Sequence, residues 1–172
     1  MPKLLWFVVC ERTLEDPVTK VITLVDVIEA VTIRGAPLSA DLTKNHVVVP
    51  IRLSSVSTWT RVQDEPATFE VRSVVRTPDG REFGTPAVAI TWGAQPNYRQ
   101  TIRLGTMPFV GAGRYTIIAQ SKVASDDWKT AGELPIDIKY EVVAEEKAEE
   151  QHAASGNAPK KKRRATAKRR TA

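Results

Sequence analysis

The chain of 172 residues carries 25 Lys and Arg against 20 Asp and Glu, a net charge of +5 at pH 7. This length fits one domain with extensions. The single cysteine excludes an internal disulfide and argues against a small secreted disulfide scaffold. No stretch approaches the ~20 apolar residues of a membrane-spanning helix, so the sequence predicts a cytoplasmic protein without membrane insertion.

The charge is unevenly distributed along the chain. Residues 1–144 hold 16 basic and 16 acidic residues, residues 145–158 hold four Glu and one Lys, and residues 159–172 hold eight basic residues and no acidic one. Residues 145–172 contain no Val, Ile, Leu, Met, Cys or aromatic residue, so they have little apolar surface to offset the entropy of ordering. We therefore expect a domain over 1–143, an acidic linker over 144–158 that could form a short helix, and a disordered basic tail over 159–172.

The first half of the body is patterned as short strands. Residues 4–10 (LLWFVVC) are apolar on both faces, which is typical of a strand in the middle of a sheet. A second strand is predicted over 20–28, after the Asp16-Pro17 turn signal. A third covers 46–53, where Pro50 indicates a sheet edge or a bulge because proline donates no ladder hydrogen bond.

The second half shows the clearest alternation. Around a strand near 67–76, Ala67, Phe69, Val71, Ser73 and Val75 share one predicted face, and TPDG at 77–80 is a strong turn signal. Further strands are predicted over 87–92, 98–104, 114–120 and 136–142, the last with Ile136, Ile138, Tyr140 and Val142 facing inward. About eight strands without a convincing helix predict an all-β, antiparallel two-sheet sandwich, immunoglobulin-like or C2-like.

Three segments of the body carry a resemblance. In their order along the chain, these segments resemble a bacterial family of unknown function. They are a strand ending in Cys10, the strand from Lys20 to Val27, and Phe109 with Gly113 and Tyr115. The resemblance implies a β-sandwich and no known activity. Gly-Arg-Tyr at 113–115 is also similar to the turn-then-Tyr entry of immunoglobulin-like strands, which predicts a hydrogen bond from the Tyr115 hydroxyl back to the backbone.

The sequence gives little support to catalysis or to metal binding. Cys10 lies in an apolar strand, where thiols are usually buried and inert, and His46 is the one histidine of the body. These two residues cannot fill a zinc site, and the acidic pairs at 15–16, 64–65 and 126–127 do not have the spacing of a calcium loop. GAG at 111–113 predicts a turn, since no helix follows to bind phosphate. We expect no enzyme activity, no cofactor and no metal.

Two surfaces are candidates for binding polyanions. The stronger is the tail, whose basic residues would attract DNA or RNA without sequence preference: Lys160, Lys161, Lys162, Arg163, Arg164, Lys168, Arg169 and Arg170. The weaker is a sheet surface on which Trp59 could stack bases beside Arg61, Arg99 and Arg103. The alternative for that surface is that outward arginines pair with Glu70, Asp137 and Glu141 on neighbouring strands.

These observations predict a non-enzymatic interaction module whose tail adds affinity for nucleic acid, with an unidentified protein partner for the sandwich. The alternative is a structural or assembly protein of a bacterial or phage complex, in which the tail only improves solubility. The oligomeric state is open in both.

Overall fold

The computed structural model describes residues 2–37, 46–62, 67–124 and 126–143, and every regular element in them is a β-strand. Ten strands are described: β1 (Lys3–Glu15), β2 (Ile22–Val27), β3 (Ala30–Gly35), β4 (Val47–Thr60), β5 (Thr68–Arg76), β6 (Glu82–Gly84), β7 (Val88–Thr91), β8 (Asn97–Phe109), β9 (Gly113–Lys122) and β10 (Lys129–Val142). The described residues contain no helix long and apolar enough to cross a membrane.

The strands form two sheets that pack face to face, which confirms the predicted sandwich. The four-stranded sheet has the order β2-β1-β4-β8, and the six-stranded sheet has the order β3-β10-β9-β5-β6, with β7 also paired to β5. All pairings are antiparallel except that of β3 with β10, which is parallel. The ten described strands compare with about eight predicted, and one of their pairings is parallel.

The strand predicted over 20–28 is present as β2, but the sequence analysis did not predict β3, which begins where the chain changes sheet. The Ile28 N–H donates to the Val9 carbonyl of the four-stranded sheet at 2.9 Å, whereas the Glu29 carbonyl accepts from the Asp137 N–H of the other sheet at 3.0 Å. Adjacent residues thus bond to opposite sheets, and β3 begins at Ala30. No glycine or proline marks this crossing in the sequence.

Pro50 lies where the sequence predicts, at an irregularity of β4. The pairing of β4 with β8 shifts register between Pro50 and Leu53, and β1 pairs with β4 only from Ser54 to Thr60. Pro50, which has no N–H to donate, therefore lies in a stretch of β4 that pairs with a neighbouring strand on one side only.

The core between the sheets consists of two clusters of buried side chains. One gathers aliphatic residues of both sheets around Phe109 and Tyr115. The other is built on Trp59, Phe69 and Trp92, with Phe69 stacked on Trp92 at a centroid distance of 4.8 Å. Phe7 and Ile102 pack against both clusters and join them.

The predicted inward faces are largely confirmed. Phe69, Val71, Ser73 and Val75 of β5 are buried, as are Ile136 and Ile138 of β10. The inward assignment of Val142 is wrong, since 58% of this residue is exposed. β10 pairs with β9 only as far as Ile138, so the end of β10 extends beyond the core.

Candidate polyanion-binding surfaces

The acidic linker and the basic tail both lie outside the described residues. The eight basic residues of the tail are Lys160, Lys161, Lys162, Arg163, Arg164, Lys168, Arg169 and Arg170. The tail as a polyanion-binding segment stays a prediction that depends on its composition. The four residues of the sheet surface are all described, and the structure does not bring them together as a stacking platform.

Trp59 is a core residue, and its assignment to an exposed surface is wrong. Only 1% of it is exposed, and its ring meets Phe69 edge-on at a centroid distance of 5.8 Å. The serines around Trp59 suggested polar, exposed surroundings, but they are themselves buried in β4. Their hydroxyls have partners inside the sandwich: Ser57 Oγ accepts from Trp59 Nε1 at 2.8 Å, and the Ser55 and Ser73 hydroxyls are 2.6 Å apart.

The three arginines of this predicted surface have different environments. Arg61 follows the end of β4, and its N–H donates to the Pro96 carbonyl at 3.0 Å. The Arg99 guanidinium donates to the Lys20 carbonyl at 3.0 Å and lies 3.7 Å from Glu15, so it fastens the β1–β2 turn to β8. Arg103 is exposed and lines two neighbouring grooves.

One aromatic residue that packs with cations against an outer sheet face is Trp128, which the sequence analysis did not single out. The guanidinium carbon of Arg72 lies 4.2 Å from the centroid of its ring, and Nζ of Lys122 lies 5.1 Å from it. Arg72 also donates to Gln120 at 2.9 Å, and Lys122 lies 3.1 Å from Glu70. Both cations are thus already engaged, and the cluster ties the segment before β10 to the six-stranded sheet. Its signal in the sequence was weak, since Trp128 lies between strands after Asp126-Asp127.

Ion pairs account for much of the charge on the sheet faces. The three acidic residues expected to pair do so, with Glu70 beside Lys122, Asp137 beside Arg114 at 3.0 Å and Glu141 beside Arg34 at 2.8 Å. The hydrogen bond from Arg114 lowers the pKa of Asp137. Pairing between strands was therefore the better expectation for most of this surface, although the partners are not the arginines named above.

The structure gives Cys10 and His46 separate surroundings. Cys10 is fully buried, its thiol lies 3.8 Å from the Ser54 carbonyl, and burial raises the pKa of the thiol. The His46 ring instead lies against Phe83 at a centroid distance of 4.7 Å. Among the described residues, no group of three or more His, Cys, Asp or Glu side chains could hold a metal ion; Asp64 and Glu65 fall outside that set. The expectation that the protein is not an enzyme stays a prediction.

Comparison of the sequence with models of known protein families and with curated proteins finds no match. The resemblance of the body to a bacterial family of unknown function is therefore not supported by these comparisons. The charge and the geometry of the chain itself must carry any functional proposal.

Proposed function

We propose that this protein is a non-enzymatic interaction module of the cytoplasm whose basic segment, residues 159–172, gives affinity for nucleic acid without sequence preference. The observation that carries the proposal is the separation of charge. Eight basic residues are concentrated in fourteen positions, whereas residues 1–144 are neutral. Polyanion affinity from such a segment comes from counterion release and needs no folded site.

The cytoplasmic assignment is supported by cysteine usage. The chain has one cysteine, and its thiol is buried in the four-stranded sheet. The core therefore forms from apolar side chains of the two sheets without a disulfide, as is usual in a reducing compartment.

The proposal is tested by the salt dependence of binding. Binding of a labelled DNA duplex and a labelled RNA strand would be measured by fluorescence anisotropy for the full chain and for a full-length variant with Gln at all eight tail positions. If the tail contacts up to eight phosphates, the affinity of the full chain for the duplex should fall by up to ~10⁴-fold between 50 and 200 mM salt. The Gln variant should lose nearly all affinity at low salt.

A variant with residues 159–172 in shuffled order is the matched control, because it keeps length, composition and charge. It should bind as the natural sequence does, since the attraction depends on charge. Undiminished binding by the Gln variant would show that the tail is not the nucleic-acid site.

A second candidate function, assembly into a bacterial or phage complex, is favoured by apolar side chains on the β1–β2 hairpin. The exposed fractions are 53% for Leu14, 87% for Val18, 62% for Val21 and 55% for Val27. β2 is one of the two edge strands of its sheet. Exposed apolar residues on an edge strand suit contact with another subunit. If the exposed residues mediate assembly, the chain should self-associate, and this does not depend on the tail. Sedimentation of the same Gln variant therefore separates the two functions: under the assembly function the variant still self-associates although it no longer binds nucleic acid.

A further inference from the structure

A groove of about 240 Å³ lies on the four-stranded sheet where β1, β4 and β8 run side by side. Its lining comes from three short segments, 11–13, 51–54 and 103–105. Each segment contributes one arginine: Arg12 from β1, Arg52 from β4 and Arg103 from β8. All three arginines are exposed.

The strand register explains why the three arginines meet. Cys10 pairs with Ser54, and Ser54 pairs with Arg103, so these positions form one row across the sheet. Arg12 lies two residues beyond Cys10 and shares its face, because side chains alternate along a strand. Arg52 precedes Ser54 by two residues at the irregularity that begins at Pro50.

Most arginines of the described sandwich have a side-chain partner, but Arg12, Arg52 and Arg103 do not have one among the described residues. The side chains of Arg12, Arg52 and Arg103 form no hydrogen bond, ion pair or ring contact with any other residue that the structure describes. Other arginine side chains are engaged by acidic residues: Arg34 by Glu141, Arg76 by Glu82, Arg81 by Asp79, Arg99 by Glu15 and Arg114 by Asp137. The unpaired guanidinium groups are thus concentrated at one groove.

The charge at the groove indicates the kind of ligand. Three arginines and Glu11 give the lining a net charge of +2, which favours an anionic ligand such as a phosphate group. Arginine offers its N–H donors in a planar fork that fits phosphate oxygens two at a time. The hydroxyl-bearing residues Thr13 and Ser54 are also in the lining.

We propose that this groove is a binding site for a phosphate group, supplied either by a small phosphorylated molecule or by a nucleic-acid backbone. The site belongs to the folded body and does not depend on the tail.

The test is a residue-by-residue NMR titration of the isotopically labelled full chain. Inorganic phosphate is added at constant ionic strength in one arm, and a short single-stranded DNA oligonucleotide in the other. We expect saturable shifts of the backbone amides of residues 51–54 and 103–105. The triple variant Arg12→Gln, Arg52→Gln, Arg103→Gln should bind at least ~10-fold more weakly, because charge-assisted hydrogen bonds are lost.

The matched control removes three positive charges elsewhere, with Arg34→Gln, Arg76→Gln and Arg114→Gln, and should keep the shifts. Unshifted spectra outside the groove check that each variant is folded, and Arg103→Gln alone provides a milder variant. If the amide shifts of the groove saturate at a lower concentration of oligonucleotide than of phosphate, the source of the phosphate group is a nucleic-acid backbone. If they saturate at a lower concentration of phosphate, the source is a small phosphorylated molecule.

The proposal is overturned if neither probe produces saturable shifts at the groove, if the groove variant keeps them, or if the control variant loses them equally. Loss of tail binding in the anisotropy experiment has no bearing on this result, because the amides of the groove report separately from those of residues 159–172.

Discussion

Tyr115 shows how a single hydroxyl can hold a strand connection in place. The residue is fully buried, and its hydroxyl donates to the Gly111 carbonyl at 2.9 Å while accepting from the Val110 N–H at 3.0 Å. It therefore provides hydrogen-bond partners for two half-buried backbone groups of the loop between β8 and β9. This confirms the bond back to the backbone predicted from Gly-Arg-Tyr. Burial also raises the pKa of this phenol above its usual 10.0.

We expect Tyr115→Phe to lower the free energy of unfolding by about 1–3 kcal/mol, because two backbone groups lose their partner. Urea denaturation at neutral pH measures the change. Folding raises the pKa of the Tyr115 hydroxyl above 10.0, so the folded state favours the neutral phenol. The stabilisation by this hydroxyl is therefore complete below pH ~10 and is lost as the pH rises above that value, where the unfolded chain ionises first. The difference between the two proteins should therefore shrink at alkaline pH.

Tyr98→Phe is the control for this prediction, since Tyr98 is 36% exposed. It should change the free energy of unfolding by no more than ~0.5 kcal/mol. Equal stability of the Tyr115 and Tyr98 variants would show that the buried hydroxyl bonds have no net effect.

At the scale of elements, the start of β9 is fitted closely to the turn after β5. Gly113 has a φ of +151°, and a Cβ atom added there would lie 2.9 Å from Cγ of Pro78. Pro78 belongs to the TPDG turn, which is closed by the Gly80 N–H donating to the Thr77 carbonyl at 2.9 Å. Backbone conformation and the neighbouring turn both require glycine at this position.

Gly113→Ala should therefore destabilise the protein by about 1–3 kcal/mol, since the methyl group must displace Pro78 and the backbone is strained. The measurement is again the urea midpoint. Gly93→Ala is the matched change, because a Cβ atom there meets no atom within 4 Å, and it should have little effect. A similar loss in both variants would contradict the proposed role of the contact with Pro78.

For the molecule as a whole, the separation of opposite charges along the chain has consequences of its own. The four glutamates of residues 145–150 precede the eight basic residues of the tail, and nine residues separate Glu150 from Lys160. Oppositely charged segments so close in sequence attract each other, and a nucleic acid must compete with that attraction.

We therefore expect deletion of residues 145–150 to tighten binding of a DNA duplex, with the largest effect at low salt because screening is weakest there. Replacing Glu145, Glu146, Glu149 and Glu150 by Gln keeps the length of the segment and should give the same gain. Unchanged affinity in both variants would contradict the idea that the acidic segment weakens binding by the tail.

Much of the architecture could be predicted because alternation and turn chemistry are local properties. Apolar side chains at every second position predicted the buried face of β5, and Pro50 predicted the irregularity in β4. The crossing between sheets at Ile28 and Glu29 could not be predicted, since it is made by hydrogen bonds to Val9 and Asp137, which are distant in sequence. The burial of Trp59 was missed for a similar reason, because the serines beside it find hydroxyl and indole partners only in the folded core.

The sequence by itself determined the two-sheet β class, the tie formed by Tyr115 and the accumulation of charge in residues 159–172, because these depend on local order and composition. Only the tertiary structure decided which charges are neutralised. Ion pairs form between strands far apart in sequence, so it is the strand register that places Arg12, Arg52 and Arg103 at one groove, where none of the described residues pairs with their side chains.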